Sequence, residues 1–270
     1  MSTVESFQRR FGPWAVVTGA SDGIGREMAM RIAESGLHVV LVARRREALE
    51  SLGRELEAAH AVQTRVVALD LSRPGSVEAL VSATAELDVG LLVAAAGFGT
   101  SGPFLESDLG RELEMVQVNC AAVTALAHRF GHRLAARRRG GVVLMSSLLA
   151  FQGVPGAATY SATKAYVQSL AEALHVELAP LGVDVVASAP GPVKSSFGAR
   201  ANMQMGMGLE PGAVGRATLD ALGRRMTVRP GWLSKFLELA LASLVTRWAR
   251  VRMMGRVMRG MIAHQRPTGA

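Results

Sequence analysis

Thr18-Gly19-Ala20-Ser21-Asp22-Gly23-Ile24-Gly25 follows an apolar run at 15–18 and opens a stretch of helical periodicity at 23–35. A strand that ends in a glycine-rich turn and restarts as a helix lets the backbone bend tightly and approach a ligand closely. The negative charge of such a ligand then meets the free N–H groups and positive end of the helix. Glycine-rich turns also serve as plain connections, so the surroundings decide. A second apolar run at 38–43 completes a βαβ unit, and the alternation continues. Apolar, β-branched runs recur at 64–69, 90–95, 141–146, 183–189 and 226–228, with helical patterns at 46–59, 76–87, 108–138, 157–181 and 211–224. Strands that are apolar on both faces, separated by helix-length segments, call for a parallel sheet covered on both sides by right-handed crossovers. The expectation is an α/β fold with a doubly wound, seven-stranded parallel sheet. It forms a single domain over 12–230, followed by a basic, amphipathic helical extension over 231–270.

The chain has 270 residues, 49% of them hydrophobic, enough for one such domain to bury roughly three quarters of its unfolded surface. No internal repeat, low-complexity linker or interior Pro/Gly break divides it. Its lone cysteine, Cys120, forms no internal disulfide, and residues 1–11 carry Glu5, Arg9 and Arg10 without the apolar core of a secretory signal. A reducing cytoplasmic setting is expected. The net charge of +8 is uneven: residues 213–270 hold eleven Lys/Arg against two acids, while the remainder holds nineteen against twenty. No zinc-ligand spacing, stacking-aromatic strand or basic zipper accompanies the basic residues, so nucleic-acid binding is not expected.

In a βαβ unit of this kind, Gly19, Ser21, Asp22, Gly23, Ile24 and Gly25 are the candidates to cradle a dinucleotide pyrophosphate. The tip of the second strand distinguishes NAD from NADP. An acid there accepts from a ribose 2′-OH, whereas arginine attracts a 2′-phosphate. The sequence Val42-Ala43-Arg44-Arg45-Arg46 has no carboxylate. NADP(H) is therefore favoured over NAD(H), with Arg44 as the phosphate contact and Arg46 as an ordinary solvated helix start.

Tyr160 and Lys164 are four apart in a helical stretch and project from one face, one turn apart. Such a pair alone is often just a helix surface. Here Ser146-Ser147 precedes it at the end of a strand, where doubly wound folds place their ligands. Taken in order, these motifs with Asp70, Ala95-Ala96-Gly97, Asn119, Tyr160-Ser161-Ala162-Thr163-Lys164 and Pro190-Gly191-Pro192-Val193 resemble the classical short-chain dehydrogenase/reductase family, whose sheet is Rossmann-like, over about residues 12–230. The resemblance implies an NAD(P)-dependent oxidoreductase with Asn119, Ser147, Tyr160 and Lys164 as catalytic tetrad. It implies that Asp70 and Leu71 touch the adenine and that Ala96 and Gly97 line the cofactor. It places Pro190, Gly191 and Val193 past the nicotinamide, with Ser195 near the carboxamide. Homodimers or homotetramers through the helices at 108–138 and 157–181 are implied as well. The family often has Asn-Asn-Ala-Gly where this chain has Ala94-Ala95-Ala96-Gly97, and the missing asparagine puts local stability in doubt.

The chemistry follows from the residue types. A carbonyl oxygen gains negative charge as hydride arrives, so it needs a proton donor and a fixed hydrogen bond, roles for Tyr160 and Ser147. A nearby ammonium, Lys164, is expected to lower the tyrosine pKa. The resemblance implies that Asn119 anchors a water relaying protons to Lys164; otherwise it marks a helix kink. Phe98, Leu149, Phe151, Val154 and Phe197 are candidates to surround an apolar or lipid-like substrate beside Ser147, or else ordinary core. By the same resemblance, residues 203–209, rich in methionine and glycine, fall where the family has a substrate lid, or else they are flexible packing. From 231 onward apolar residues recur at helical spacing beside Arg247, Arg250, Arg252, Arg256 and Arg259. That tail either lies on an anionic membrane surface or packs on protein. Two rival readings remain open: a non-catalytic dinucleotide sensor or scaffold, and a peripheral membrane protein acting through its tail.

Overall fold

The computed structural model describes residues 3–204, 208–231 and 246–265. Seven parallel strands form one sheet: β1 Trp14–Thr18, β2 His38–Ala43, β3 Thr64–Ala68, β4 Val89–Ala94, β5 Gly140–Met145, β6 Val183–Ser188 and β7 Thr227–Val228. Their order is β3-β2-β1-β4-β5-β6-β7, as a doubly wound sheet requires. In the shared register Val17 lies beside Leu41 on one side and Val93 on the other. The order reverses between β1 and β4, so the connections leaving these strands part in opposite directions and open a crevice at their carboxyl ends.

Alternate residues of each strand feed two cores. Ala15, Val17, Leu41 and Val93 face helices α2 (Gly23–Glu34) and α3 (Arg46–His60), packing on Met28, Ile32, Leu49 and Leu56. Val16, Val40, Leu92 and Val142 face the other side, against Leu80, Leu126, Phe130 and Val167. These last four come from α4 (Ser76–Ala83), α6 (Val123–Arg137) and α7 (Ala158–Leu178). Phe130 has no exposed surface, and truncating such a side chain to alanine costs about 3–5 kcal/mol.

Three helical expectations need adjustment. The span 76–87 is helical only to Ala83, because the Thr84 hydroxyl donates to the Leu80 carbonyl at 2.9 Å and ends the ladder. The span 108–138 is not one uniform helix. Asp108 caps α5 (Leu109–Val116), a wide π turn occupies Gln117–Ala122, and α6 follows. At 157–181, α7 stops at Leu178 and a 3-10 turn covers Ala179–Leu181. An N-terminal helix, α1 (Thr3–Phe11), was not expected. It places buried Phe11 against the amino end of β5, and Arg10 pairs with Asp184 at 2.5 Å. Later come the one-turn helix α8 (Phe197–Arg200), α9 (Pro211–Ala221) and α10 (Arg247–Met261). The apolar stretch read at 232–245 lies outside the described residues, as do 205–207 of the expected lid.

Candidate active site and nucleotide cleft

The glycine-rich turn is held against the ends of β1 and β4 with no room for side chains. Gly19 has φ 71°, and a methyl there would come within 2.9 Å of the Ala96 nitrogen. At Gly25 a methyl would meet the Gly19 carbonyl oxygen at 2.4 Å. Gly23, also at positive φ, faces Ser195, and Ile24 packs into the core beneath. Asp22 occupies the N-cap of α2, but its carboxylate does not cap the helix. Instead it accepts from Arg200 Nη2 at 2.8 Å and from the Ser196 hydroxyl, both at α8. The turn that was expected to hold phosphate is thus also latched to the segment that follows β6.

The three arginines at the tip of β2 divide differently from the expectation. Arg46 pairs with Glu50 at 3.7 Å on the surface of α3, as expected. Arg45 folds onto the glycine turn, donating to the Ser21 carbonyl at 3.0 Å and approaching its hydroxyl at 3.4 Å. Sequence reasoning gave Arg45 no role, because only the folded turn shows which arginine reaches it. Arg44 is exposed, and its charge acts on Asp70. Burial raises the Asp70 pKa, but the Ser72 N–H and hydroxyl and the Arg44 and Arg73 guanidiniums outweigh it and hold the carboxyl below its ordinary value. Leu71, beside it, is buried in the core.

Thr18 braces the strand end at which the asparagine is missing. Its fully buried hydroxyl accepts from the Ala96 N–H at 3.1 Å and donates to the Val93 carbonyl at 3.4 Å, tying β1 to the end of β4. One residue on, Gly97 leaves space in which a methyl would lie 3.0 Å from Asn119 Oδ1 and 3.5 Å from Lys164 Nζ. Asn119 sits in the π turn and spends its amide locally. Nδ2 donates to the Phe98 carbonyl at 2.9 Å and to Thr163 Oγ1 at 3.1 Å, while Oδ1 accepts from the Phe98 N–H at 3.2 Å. The side chain thus fixes the strand exit against α7. Thr163, overlooked in the sequence, relays this to α7 by donating to the Tyr160 carbonyl at 2.8 Å.

Ser147, Tyr160 and Lys164 converge at the carboxyl end of β5. The Ser147 oxygen accepts from the Leu149 N–H at 3.2 Å, which leaves its own hydrogen for Tyr160. Lys164 Nζ lies 5.7 Å from the Tyr160 ring centroid and donates to the Met145 carbonyl at 2.8 Å. The electrostatics correct one expectation. Burial pushes the Tyr160 phenol up to about 12, only partly opposed by the Ser147 hydrogen bond. Burial likewise pushes Lys164 down to about 8. Desolvation, not the neighbouring ammonium, sets the acidity of this phenol.

An apolar wall surrounds Tyr160. Val154 belongs to a buried cluster with Tyr160, Met115 and Met203, and Phe98, Leu149 and Phe197 pack against it. The Phe197 ring lies 5.4 Å from that of Tyr160. Phe151 is the exception among the expected lining residues. It stacks under the Arg229 guanidinium at 4.0 Å, away from this cluster. The loop after β6 is braced from two sides: the Pro190 carbonyl accepts from Leu148 N, and Val193 forms a strand-like bridge to Leu209. Gly191 lies between them, and Ser195 turns its hydroxyl to the Phe197 N–H at 3.3 Å.

The remaining wall comes from a part of the chain to which the sequence assigned no site role. Met258 and Ile262 at the end of α10 are buried in the same cluster, with Met254 and Met261 beside them. Gly255 lets α10 approach Pro155, just ahead of α7. Gln265 donates to the Ser101 hydroxyl at 2.9 Å, and Gln204 N to the Met261 carbonyl at 2.9 Å. Arg252, Arg256 and Arg259 are exposed on the outer face. Of the two readings of the tail, packing on protein holds for this helix. Among the described residues no helix is long and apolar enough to cross a membrane.

Comparison with known proteins agrees with this geometry. Residues 13–206 match the model of the short chain dehydrogenase family. A very-long-chain 3-oxoacyl-CoA reductase of Meyerozyma guilliermondii is 34% identical over 265 residues, covering 89% of this chain and 75% of that protein. A solved 7beta-hydroxysteroid dehydrogenase superposes with a TM-score of 0.86 at 28% identity, covering 92% of this chain and 99% of that one. A short-chain dehydrogenase from Sphingobium yanoikuyae, solved in complex with NADPH, superposes with a TM-score of 0.76 at 27% identity over 96% and 98% of the two chains. With an all-parallel sheet reversing beside a glycine turn that a family model spans, the chain belongs to the short chain dehydrogenases and is an oxidoreductase.

Proposed function

We propose that this chain is an NADP(H)-dependent oxidoreductase interconverting a carbonyl and an alcohol on an apolar, lipid-like substrate, with Tyr160 moving the proton. The observation that carries the reading is the meeting of Ser147, Tyr160 and Lys164 at the floor of the crevice, under a wall of Phe98, Leu149, Phe197 and Met258.

The cleft fits a dinucleotide. Gly19 and Gly25 leave no room for a Cβ, so the backbone itself forms the cradle, and the side chain at the N-cap of α2 leaves the helix end uncapped. Gly19, Ser21, Gly23 and Ile24 would hold the pyrophosphate, and Asp70, Leu71, Ala96 and Gly97 would line the adenosine side. Pro190, Gly191, Val193 and Ser195 would lie along the nicotinamide. Arg44 and Arg45 stand at the tip of β2 with no carboxylate there, which favours a 2′-phosphate over a bare ribose. When bound, the nicotinamide supplies or accepts the hydride.

The residues do the rest. With a pKa near 12, Tyr160 is fully protonated at neutral pH, so it stands as a ready acid for an alkoxide, a stronger base than a phenolate. Ser147 holds the oxygen on which charge gathers. Lys164, cationic below about pH 8, steadies the phenolate as it forms. Asn119 and Thr163 keep the strand exit and α7 in register. The apolar wall excludes water and suits a bulky ketone better than a sugar, in keeping with the reductase and steroid dehydrogenase that the chain resembles. Exposed Leu105 ahead of α5, Leu109 and Leu113 on it, and Val176 on α7 support a homo-oligomer formed through these helices.

The decisive experiment follows NADPH absorbance with a panel of bulky ketones. Tyr160→Phe should abolish turnover and leave NADPH binding intact, as measured by fluorescence titration. Near-normal turnover of that variant would reject the proposal.

A further inference from the structure

Outside the cleft, the outer face of α6 carries a pair of histidines in mutual contact. His128 and His132 are one turn apart, both exposed, with ring centroids 4.6 Å apart and ring planes at 74°. Their Nε2 atoms are 3.3 Å apart. A tetrahedral zinc with bonds of about 2.0–2.1 Å to two imidazoles separates its ligand nitrogens by about 3.3 Å. The spacing of the pair therefore matches the bite of such an ion. We propose that His128 and His132 form a two-ligand surface site for a borderline divalent transition-metal ion such as Zn2+.

The surroundings allow it. The two arginines next in sequence, which would otherwise repel a cation, are turned away and engaged. Arg129 pairs with Glu78 at 2.8 Å, and Arg133 donates to the Thr84 hydroxyl and to the Thr84 and Leu87 carbonyls. Without an ion, the two rings share one hydrogen between their Nε2 atoms. To ligate, both Nε2 atoms must be bare, so the donor ring carries its hydrogen on Nδ1 instead. Neutral imidazole prefers zinc, copper and nickel over hard cations. Among the described residues no group of three or more His, Cys, Asp and Glu side chains converges anywhere, so the ion keeps its other positions for water.

The test is calorimetric titration of the intact, untagged chain with zinc chloride, in parallel with His128→Ala, His132→Ala and His60→Ala. Alanine at exposed helical positions preserves the helix, and circular dichroism checks that each variant is folded. The expected result is one zinc equivalent per chain, lost in both α6 variants, retained in His60→Ala, and not reproduced by magnesium chloride. Absence of zinc binding by the intact chain, or undiminished binding in both α6 variants, overturns the proposal.

Discussion

Thr18→Val removes one oxygen and keeps the side-chain shape, so it isolates the hydrogen bonds by which Thr18 ties β1 to the end of β4. Thr18 has no exposed surface, and its hydroxyl accepts from the Ala96 N–H at 3.1 Å and donates to the Val93 carbonyl at 3.4 Å. The second bond is long and contributes little. The first leaves a backbone donor without its partner in a region that valine keeps dry, which costs about 1–3 kcal/mol. At about 2–4 °C per kcal/mol for a chain of this size, melting should fall by roughly 2 to 12 °C. The effect should also reach the cleft, because the Ala96 nitrogen is the atom against which Gly19 has no space. A shifted Ala96 loosens that fit, and the KM for NADPH should rise. Thr18→Ser is the control: it keeps the oxygen and loses only a methyl, so its NADPH KM should stay near that of the wild type. Thermal melts by circular dichroism and NADPH saturation curves read both effects. If Thr18→Val melts with the wild type and binds NADPH equally well, the hydroxyl bridge does not hold the cleft wall.

Gly25→Ala should abolish NADPH binding in fluorescence titration, because the new methyl would meet the Gly19 carbonyl oxygen at 2.4 Å and neither backbone can yield; overpacking of this kind costs about 1–3 kcal/mol. Unchanged affinity would show that the turn has slack. Arg200→Ala breaks an exposed pair with Asp22, worth at most about 1 kcal/mol, so melting should barely move. The KM for substrate should nonetheless rise, since α8 carries Phe197 against Tyr160; an unaltered KM would sever the latch from function. The pH dependence has a definite sign. Lys164 is charged below about pH 8 and loses its proton above it, so kcat/KM for reduction should be level in acid and fall as pH rises through that value. Tyr160, near 12, adds no limb below it, and a profile that stays flat well past pH 8 would exclude dependence on the ammonium.

What the sequence revealed, and what it withheld, follows from the range of the forces involved. The strands were legible because both faces of β4 and β5 are buried, which forces unbroken apolar runs. The glycine turn and the Ser147, Tyr160 and Lys164 set were legible because local spacing fixes them. Nothing local announces a π turn, so α5 and α6 read as one element over 108–138. Thr18, Arg45 and Met258 escaped notice because their partners lie 78, 24 and about 100 residues away. Phe151 was misplaced for the same reason: its neighbour Arg229 belongs to the far edge of the sheet. The acidity of Tyr160 was misjudged because spacing puts an ammonium nearby but does not report how completely the pair is dehydrated.

The wide turn at Gln117–Ala122 has a consequence for insertions and deletions. It accommodates one more residue per turn than the helix around it, so it sets the rotational phase of everything downstream. Straightening it into regular helix while keeping every residue would rotate α6 by about 100°, whereas deleting one residue at the same time would restore the phase. In the rotated helix Leu126, Phe130 and Leu134 would swing out of the core they now fill, and Asn119 would lose its position opposite Phe98. The irregularity is therefore locked in from both sides, by the packing of the helix beyond it and by the asparagine within it.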